Sequence, residues 1–466
     1  MPDKFPFIVD GIRGDVPTNF YAAPDTERGV LLNPTPGLLE LCTLTNCTEV
    51  RDLVAYGNYL YAVARRGSQA VLWRIASDGT KAELGTITTS ASGPAWQVYN
   101  STQLCICDGV SGYVYTPSTG LFAQISDADF PGGGGVAYQD GYGLFFQPSS
   151  KMWFNTGLND FTNINALDFY TKESKPSNIV SIMSYMREVW VFGVDGTEVW
   201  YNAGGDNSSP LNPTFARNTG GVVEYGCGAA RSPSNLDGMA AVWLSDKGQL
   251  LMASGYMAQP ISTQMFTRAV QGMALYSDAR AFSYRDSERV FYQISFPTGD
   301  QTWVYDATMK LFHKRSSWKS GGGYGRHLAN CYAWLGSKHY VGDYENGKVY
   351  EMSTGYYSDA GNAIRRRAYS QEIDGGLSRI SFPSVQVIVE PGVGLVGGSD
   401  PQVILEFSGD GGNNWSNEVW RGAGLTGEYT RRAFWAQLGS GYRRMYRVTM
   451  TDAVLWRILG VDWGFK

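Results

Sequence analysis

Histidine and charge are both scarce in this sequence. Its 466 residues include three histidines, His313, His327 and His339, and only 17% are charged. None of the histidines stands in a metal-binding spacing such as H-E-x-x-H, which removes a common zinc-hydrolase signature. Neither a G-x-S-x-G elbow nor a P-loop occurs, so two familiar routes to acyl and phosphoryl transfer lack their local machinery. No run of about 18 apolar residues is present, and no membrane span is expected. The start, "MPDKFPFIVDGIRGDVP", lacks the basic stretch, apolar run and cleavage site of a secretory signal. The formal charge of −5 offers no basic field for tight nucleic-acid binding. The six cysteines, Cys42, Cys47, Cys105, Cys107, Cys227 and Cys331, are scattered along the chain. That spacing reads as reduced, mostly buried thiols made in a cytoplasm. Cys105 and Cys107 share one face of a strand, but no second pair at ligand spacing makes them a metal site, so they are expected in the core.

What the chain does have is glycine and aromatics: 57 glycines, and 14% phenylalanine, tryptophan and tyrosine. That balance suits many short strands joined by tight turns. From about residue 50 one unit recurs: an alternating apolar strand, a Gly/Asp turn, a second strand carrying an aromatic, then another turn. "NYLYAVARRGSQAVLWRIASDG", "REVWVFGVDGTEVWYNAGG" and "KHYVGDYENGKVYEMSTG" are three of seven such units. Their equivalent second-strand positions are Trp73, Tyr115, Trp153, Trp200, Leu251, Tyr305 and Tyr350, at intervals of roughly 40 to 50 residues, as expected of propeller blades. Radial packing hides the aromatic faces and keeps sheet edges short. The expected fold is therefore all-β: a six- or seven-bladed β-propeller over residues 50–362, with residues 1–49 as a segment that can close its last blade. One stretch breaks the pattern. "PISTQMFTRAVQGMALY" offers Ser262 or Thr263 as a cap and Met265, Phe266, Ala269, Val270 and Met273 at helical spacing, which predicts a short helix between the fifth and sixth units. "FPGGGGVAY", around Gly132 to Gly135, lacks the Lys-Ser/Thr of a phosphate cradle and reads as a flexible inter-blade turn.

Beyond residue 362 the strands lengthen, and 363–466 reads as a C-terminal β-sandwich-like domain. It holds eleven arginines and one lysine against ten acids, a balance of +2, while the rest of the chain carries −7. Arginine suits planar pairing with carboxylates at interfaces. Arg365, Arg366 and Arg367 are the candidate interface patch, although at most two of three neighbours share one face of a strand. In "SGDGGNNW", Ser408, Asp410, Gly412 and Trp415 fit the S-x-D-x-G-x-x-W pattern of an Asp-box. Its expected role is structural: Asp410 accepts backbone N–H bonds, Gly412 takes a positive φ and Trp415 packs beneath the hairpin.

Several stretches together resemble the tail hub family of short-tailed bacteriophages, also called packaged DNA stabilisation proteins or tail nozzles. They are "ALDFYTKESKPSNIVSI", the hairpin "VFGVDGTEVWYNAG", the glycine-framed "VEYGCGA", the helix start "QPIST", "LLNPTPGLLELC" near the N-terminus and the terminal "VDWGFK". The resemblance implies a structural protein of the virion tail, synthesised in the host cytoplasm, with no catalytic residue, cofactor, metal or small-molecule substrate. It implies a homohexameric ring beneath the portal and adaptor that retains packaged DNA, forms the channel for its ejection, and carries tail fibres, spikes or a plug. DNA would pass without sequence-specific binding, past a channel surface on which acids outnumber bases, because neutralised phosphates are what make duplexes adhere. Gly204 to Gly221, a long polar excursion, is then a candidate contact loop. Two other readings stay open at this point. A carbohydrate-active propeller, sialidase-like or a depolymerase, needs two facing carboxylates and aromatic platforms in a central pocket. A non-viral interaction scaffold needs a flat exposed face and no six-fold interface.

Overall fold

The structure is a computed structural model that describes residues 15–26, 29–209, 211–395 and 398–464. Strands dominate it because runs such as "LCIC" and "AVWL" are buried along their whole length: Leu104–Cys107 and Ala241–Leu244 are covered at every position. A strand covered on both faces must lie in a sheet packed between two other sheets, and that is how they are arranged. The chain divides into two units. One comprises residues 40–300 and 328–351, the other residues 1–39, 301–327 and 352–466.

The first unit is built from successive antiparallel strand groups. Group one is Glu49–Tyr56, Tyr59–Arg66, Gln69–Ile75 and Lys81–Ile87. Group two runs from Trp96–Tyr99 to Leu121–Gln124, group three from Gly135–Gln139 to Asp160–Thr171, group four from Ile179–Tyr185 to Phe215–Val223, and group five from Ser234–Asn235 to Met257–Pro260. Group six contributes the hairpin Arg280–Asp286 with Arg289–Phe296, and group seven contributes Ala329–Leu335 with Lys338–Asp343. Neighbouring groups share hydrophobic clusters: Tyr61 and Leu72 with Ile106 and Tyr113, Cys105 and Cys107 with Phe145 and Phe154, Trp153 with Trp200, and Trp190 with Trp243. Ser234 bonds Ser283 between groups five and six, and Phe282 stacks on Tyr332 between groups six and seven. Group seven then packs on group one, with Cys331, Tyr340 and Val349 in one cluster with Val50, Leu60 and Trp73. The groups thus close on themselves as a propeller. Trp73, Tyr115, Trp153, Trp200 and Leu251 all lie on the third strand of their groups and are buried, as are Tyr305 and Tyr350.

The helix lies where the sequence placed it, Gln264–Gln271, between groups five and six. Thr263 Oγ1 accepts from the N–H of Phe266 at 3.3 Å, and Phe266 and Val270 are its buried residues. Gly132 to Gly135 form a packed connection rather than a flexible turn. Gly133 and Gly134 donate to the carbonyls of Val110 and Phe146, and a Cβ at Gly134 would stand 2.3 Å from the Phe146 ring. The glycines are there so that the rings of Phe145 and Phe146 can approach the backbone.

The second unit contains the sandwich. One sheet runs Phe20–Asp25, Gly29–Pro34, Ile458–Gly464, Ser384–Val389 and Ala433–Ala436. The other runs Arg366–Tyr369, Arg443–Met450, Gln402–Ser408 and Val419–Gly422. Phe20, Ala22 and Leu32 share a core with Val385, Val403, Trp435, Val448 and Trp456. The N-terminal segment therefore divides its allegiance. Its hairpin, residues 20–34, extends the sandwich by pairing Leu32 with Ile458. The strand Gly37–Thr43 that follows it serves the propeller: it lies beside Lys348–Ser353 in the sheet of the seventh group, Leu44 donates to the Gly347 carbonyl and Glu40 pairs with Lys348. Residues 1–14 of the expected closing segment lie outside the described residues. In the same unit Thr302 to Asp306 pair with Leu311 to Arg315.

Candidate functional site

The first strands of the groups surround the propeller axis, and five groups line a cavity there of about 610 Å³. Trp96, Tyr99, Tyr138 and Phe282 give its wall aromatic faces, and Ser181, Ser184 and Ser283 give it hydroxyls. Among the described residues lining it there is no carboxylate. The nearby acids are already engaged. Arg231 Nη2 donates to Asp52 Oδ1 at 2.6 Å, and its guanidinium lies 5.4 Å from the centre of the Trp96 ring. Arg280 pairs with Glu49 at 3.2 Å. Burial pushes the Asp52 carboxyl up, and the Arg231 charge and the Gln97 amide pull it back. Between these acids, Arg51 is fully buried and donates to the carbonyls of Ser90, Ser92, Gly93, Pro94 and Asp108. Burial lowers its pKa, and those carbonyls offset the cost of desolvating the guanidinium. With the Asp108 side chain acting on Arg51, three acids face three arginines, and the result is a neutralised polar knot. Sequence reasoning missed it. Its one local signal was "EVRDL", which places three charged residues on a strand that otherwise reads as core.

The excursion at Gly204 to Gly221 is a β-hairpin. The pairing of Thr197–Asn202 with Phe215–Val223 continues outward through Ala203 to Thr214, Gly205 to Pro213 and Asn207 to Asn212. Asn207 sits at φ +54, tolerable for asparagine, and anchors the turn. Its Nδ2 donates to Asp168 Oδ1 at 2.5 Å and to the Tyr170 hydroxyl at 2.9 Å, while its Oδ1 accepts from Thr214 N at 2.8 Å. Asp206 accepts from Ser208 N and Asn212 Nδ2. At the tip Leu211 is 95% exposed. Pro210 lies outside the described residues.

The arginine triplet opens the strand Arg366–Tyr369 of the sandwich unit. Arg366 is fully buried, with burial lowering its pKa to about 10, and its Nη2 is 3.5 Å from the Tyr357 carbonyl. It is not presented to any partner surface, which corrects its inclusion in the patch. A strand sends alternate side chains to opposite faces, and the middle residue goes inward. Arg365 and Arg367 are half-buried, and the Arg365 guanidinium lies 3.9 Å from the centre of the Tyr324 ring. Asn19, which sequence reasoning also missed, ties this region together from φ +56: its Nδ2 donates to the carbonyls of Ser316 and Arg365, and its Oδ1 accepts from Ser316 N. Other arginines of the unit are likewise engaged within the chain, Arg447 with Glu406 and Arg457 with Glu390.

Ser408, Asp410, Gly412 and Trp415 come together in one turn after the strand Gln402–Ser408. Ser408 Oγ donates to Asp410 Oδ1 and accepts from Gly412 N; Asp410 Oδ1 also accepts from Asn414 N at 2.9 Å. Those bonds hold the Asp410 carboxyl down at about 2. Gly412 has φ +92, and Trp415 packs on Tyr369 and Met445 with the Arg447 guanidinium 4.3 Å from its ring centre. Among the described residues no group of three His, Cys, Asp or Glu is placed to hold a metal ion, and no helix is long and apolar enough to cross a membrane. The six cysteines are free, and all but Cys47 are buried.

Comparison with known proteins decides the family. Residues 35–356 match the profile described as bacteriophage P22 Gp10, beta-propeller, and residues 366–462 match the one described as bacteriophage P22 Gp10, beta-sandwich. The chain belongs to the P22 Gp10 family. It is a structural protein of a phage tail, one of the packaged DNA stabilisation or tail hub proteins. The two Gp10 profiles follow each other in the order propeller then sandwich, as the sequence reading expected. No curated protein matches the chain. Solved structures are similar only at a low level. The extracellular domain of a hybrid two-component system from B. thetaiotaomicron is 11% identical over 74% of this chain and 43% of its own, with a TM-score of 0.46. The N-terminal domain of Nup159 is 9% identical over 73% and 99%, at 0.42, and the Neurospora crassa Pan2 WD40 domain 8% identical over 68% and 95%, also at 0.42. This chain spans less than half of the two-component domain. Likeness at these scores carries no argument about function.

Proposed function

We propose that this Gp10-family chain is the tail nozzle: a homohexameric ring beneath the portal and adaptor that retains packaged DNA, forms its exit channel and carries fibres, spikes or a plug. The observation that carries this reading is the pair of Gp10 matches, which together take in both the propeller and the sandwich. A closed ring of internally bonded sheets resists deformation, a property suited to a part held against pressurised DNA. The protein does no catalysis in this role, binds no cofactor or small-molecule substrate, and is made in the host cytoplasm before joining the virion. Functionally the chain divides into an N-terminal segment (1–49), whose strand Gly37–Thr43 closes the last blade, the propeller (50–362) and the sandwich (363–466). The Asp-box of Ser408, Asp410, Gly412 and Trp415 serves as a structural turn. The hairpin at 204–221 and the exposed parts of Arg365 and Arg367 are the contacts offered to neighbouring copies or tail proteins. Acids outnumber bases on the channel surface, so that DNA slides without adhering.

Native mass spectrometry and electron-microscope class averages of the purified protein, alone and with the adaptor complex, test this. A six-fold ring, formed alone or on the adaptor, is the expected result. A monomer indifferent to the adaptor would overturn the nozzle, and a ring whose bore is lined by lysine and arginine would overturn the charge argument. Replacing Arg365 and Arg367 together by alanine is expected to weaken ring assembly; undiminished assembly would remove them from the interface.

A further inference from the structure

A second cavity of the propeller unit, about 470 Å³, opens between the first strands of groups five, six and seven. Its size falls in the range of about 300–1,000 Å³ usual for small-ligand sites. One wall is aromatic, made of Tyr284, Tyr332 and Trp334. Trp334 is 50% exposed, yet its ring is held in place. The His339 ring meets it edge-on at 4.5 Å, His339 Nδ1 lies 3.0 Å from the Tyr332 hydroxyl, and Tyr332 stacks on Phe282 at 5.4 Å. A second layer of rings therefore fixes an open indole face toward solvent, in a protein where most tryptophans are buried. The facing groups are polar, and most are planar. Asp237 and Arg285 form an ion pair, the Asn235 carboxamide oxygen accepts from Gly238 N at 2.7 Å, and Ser283 shares a hydrogen bond with Ser234.

We propose that this pocket binds a neutral saccharide. A pyranose offers an apolar C–H face and a rim of hydroxyls, and it needs what stands here: a rigid aromatic plane with fixed planar donors and acceptors beside it. The ion pair decides the charge of the ligand. Arg285 is neutralised by Asp237, so no uncompensated cation awaits a phosphate, sulfate or carboxylate, while each partner keeps hydrogen-bonding capacity for hydroxyls. An anionic nucleotide or an acidic peptide would have to break that pair. The site adds a binding activity to the structural role, and it is read on the free chain, so its failure leaves the ring assembly untouched and the failure of the ring leaves it standing.

The test is binding of maltohexaose, cellohexaose and chitohexaose to the purified full chain, read by saturation-transfer NMR and by tryptophan fluorescence, with ATP as the anionic comparison. At least one of the three oligosaccharides is expected to bind in preference to ATP. Trp334→Ala is expected to weaken that binding about tenfold, Asp237→Asn to weaken it less, and Trp420→Ala, which removes a half-exposed tryptophan of the sandwich, to leave it unchanged. Trp334→Phe guards against misfolding, because it keeps a ring and should keep most of the affinity. Binding by none of the three sugars, preference for ATP, undiminished binding by Trp334→Ala, or a Trp334 buried against another chain in the assembled ring would each overturn the proposal.

Discussion

Asp343 shows what one carboxyl contributes when the fold covers it. It sits at the end of the strand Lys338–Asp343, fully buried, accepting from the Tyr350 hydroxyl and from Glu345 N, each at 2.7 Å. Burial outweighs those bonds and lifts its pKa to about 6. In the unfolded chain it titrates near 4. Folding therefore takes up a proton, so its contribution is fully present below about pH 4 and is lost as pH rises through about 6, a swing of about 2–3 kcal/mol. Asp343→Asn removes the titrating group and keeps one of the two acceptor oxygens, so it should flatten the pH profile between 4 and 6. Chemical denaturation at pH 4, 5, 6 and 7.5 checks this; parallel profiles for the two proteins would show that Asp343 stays ionised in the fold. At this scale the sequence was partly legible. The seven marker positions, six rings and Leu251, could be read because burial of a large apolar side chain repeats with the blade, whereas Asp343 and Asn19 could not, because their roles depend on neighbours supplied by folding.

The hairpin after Thr197–Asn202 shows why an element can be misread. "NAGGDNSSPLNP" is made of turn formers without an apolar period, which reads as loop. The ladder is nonetheless completed by backbone bonds and by the side chains of Asn207 and Asp206, which do not need that period. Asn207 makes the largest side-chain contribution. Asn207→Ala removes three side-chain bonds and puts alanine at a positive φ, and should cost about 1–3 kcal/mol. Limited proteolysis should then cut between residues 203 and 214 faster than in the parent; an unchanged cleavage pattern would mean the turn holds without its anchor. Leu211→Ser addresses the tip separately. Leu211 is almost wholly exposed, so its loss should change stability by no more than about 0.5 kcal/mol while weakening assembly with a neighbouring copy or tail protein. The helix was the opposite case: its place and type were local information, although the sequence left the cap between Ser262 and Thr263, and of the five positions named for its face only Phe266 and Val270 are buried, with Met273 beyond its end.

For the whole molecule, the repeat revealed the propeller, and the segment 1–49 was read as able to close its last blade; the strand Gly37–Thr43 lies in the sheet of the seventh group, while the hairpin before it joins the sandwich. The break falls at "NPTPG", residues 33–37, between the strands Gly29–Pro34 and Gly37–Thr43, but that turn does not say which sheet each apolar strand joins. The knot at the axis was hidden apart from the charges of "EVRDL", because Asp52 and Arg231 stand 179 residues apart. That pair makes the sharpest test of how the ring of groups is held. Arg231→Met would leave the Asp52 carboxyl buried without its counter-charge, a change that typically costs about 3–5 kcal/mol. The lone carboxyl would have its pKa raised further, so the variant's deficit should shrink on acidification, when Asp52 is protonated, and be largest above neutral pH. Adding Asp52→Leu should restore most of the loss, because an apolar pair needs no compensation in a buried site. Equilibrium unfolding of the two single variants and the double variant at pH 5 and pH 8 measures all of this. Additive losses, or an Arg231→Met protein indifferent to pH, would mean that packing between the groups holds the axis closed and the ion pair only fills the space.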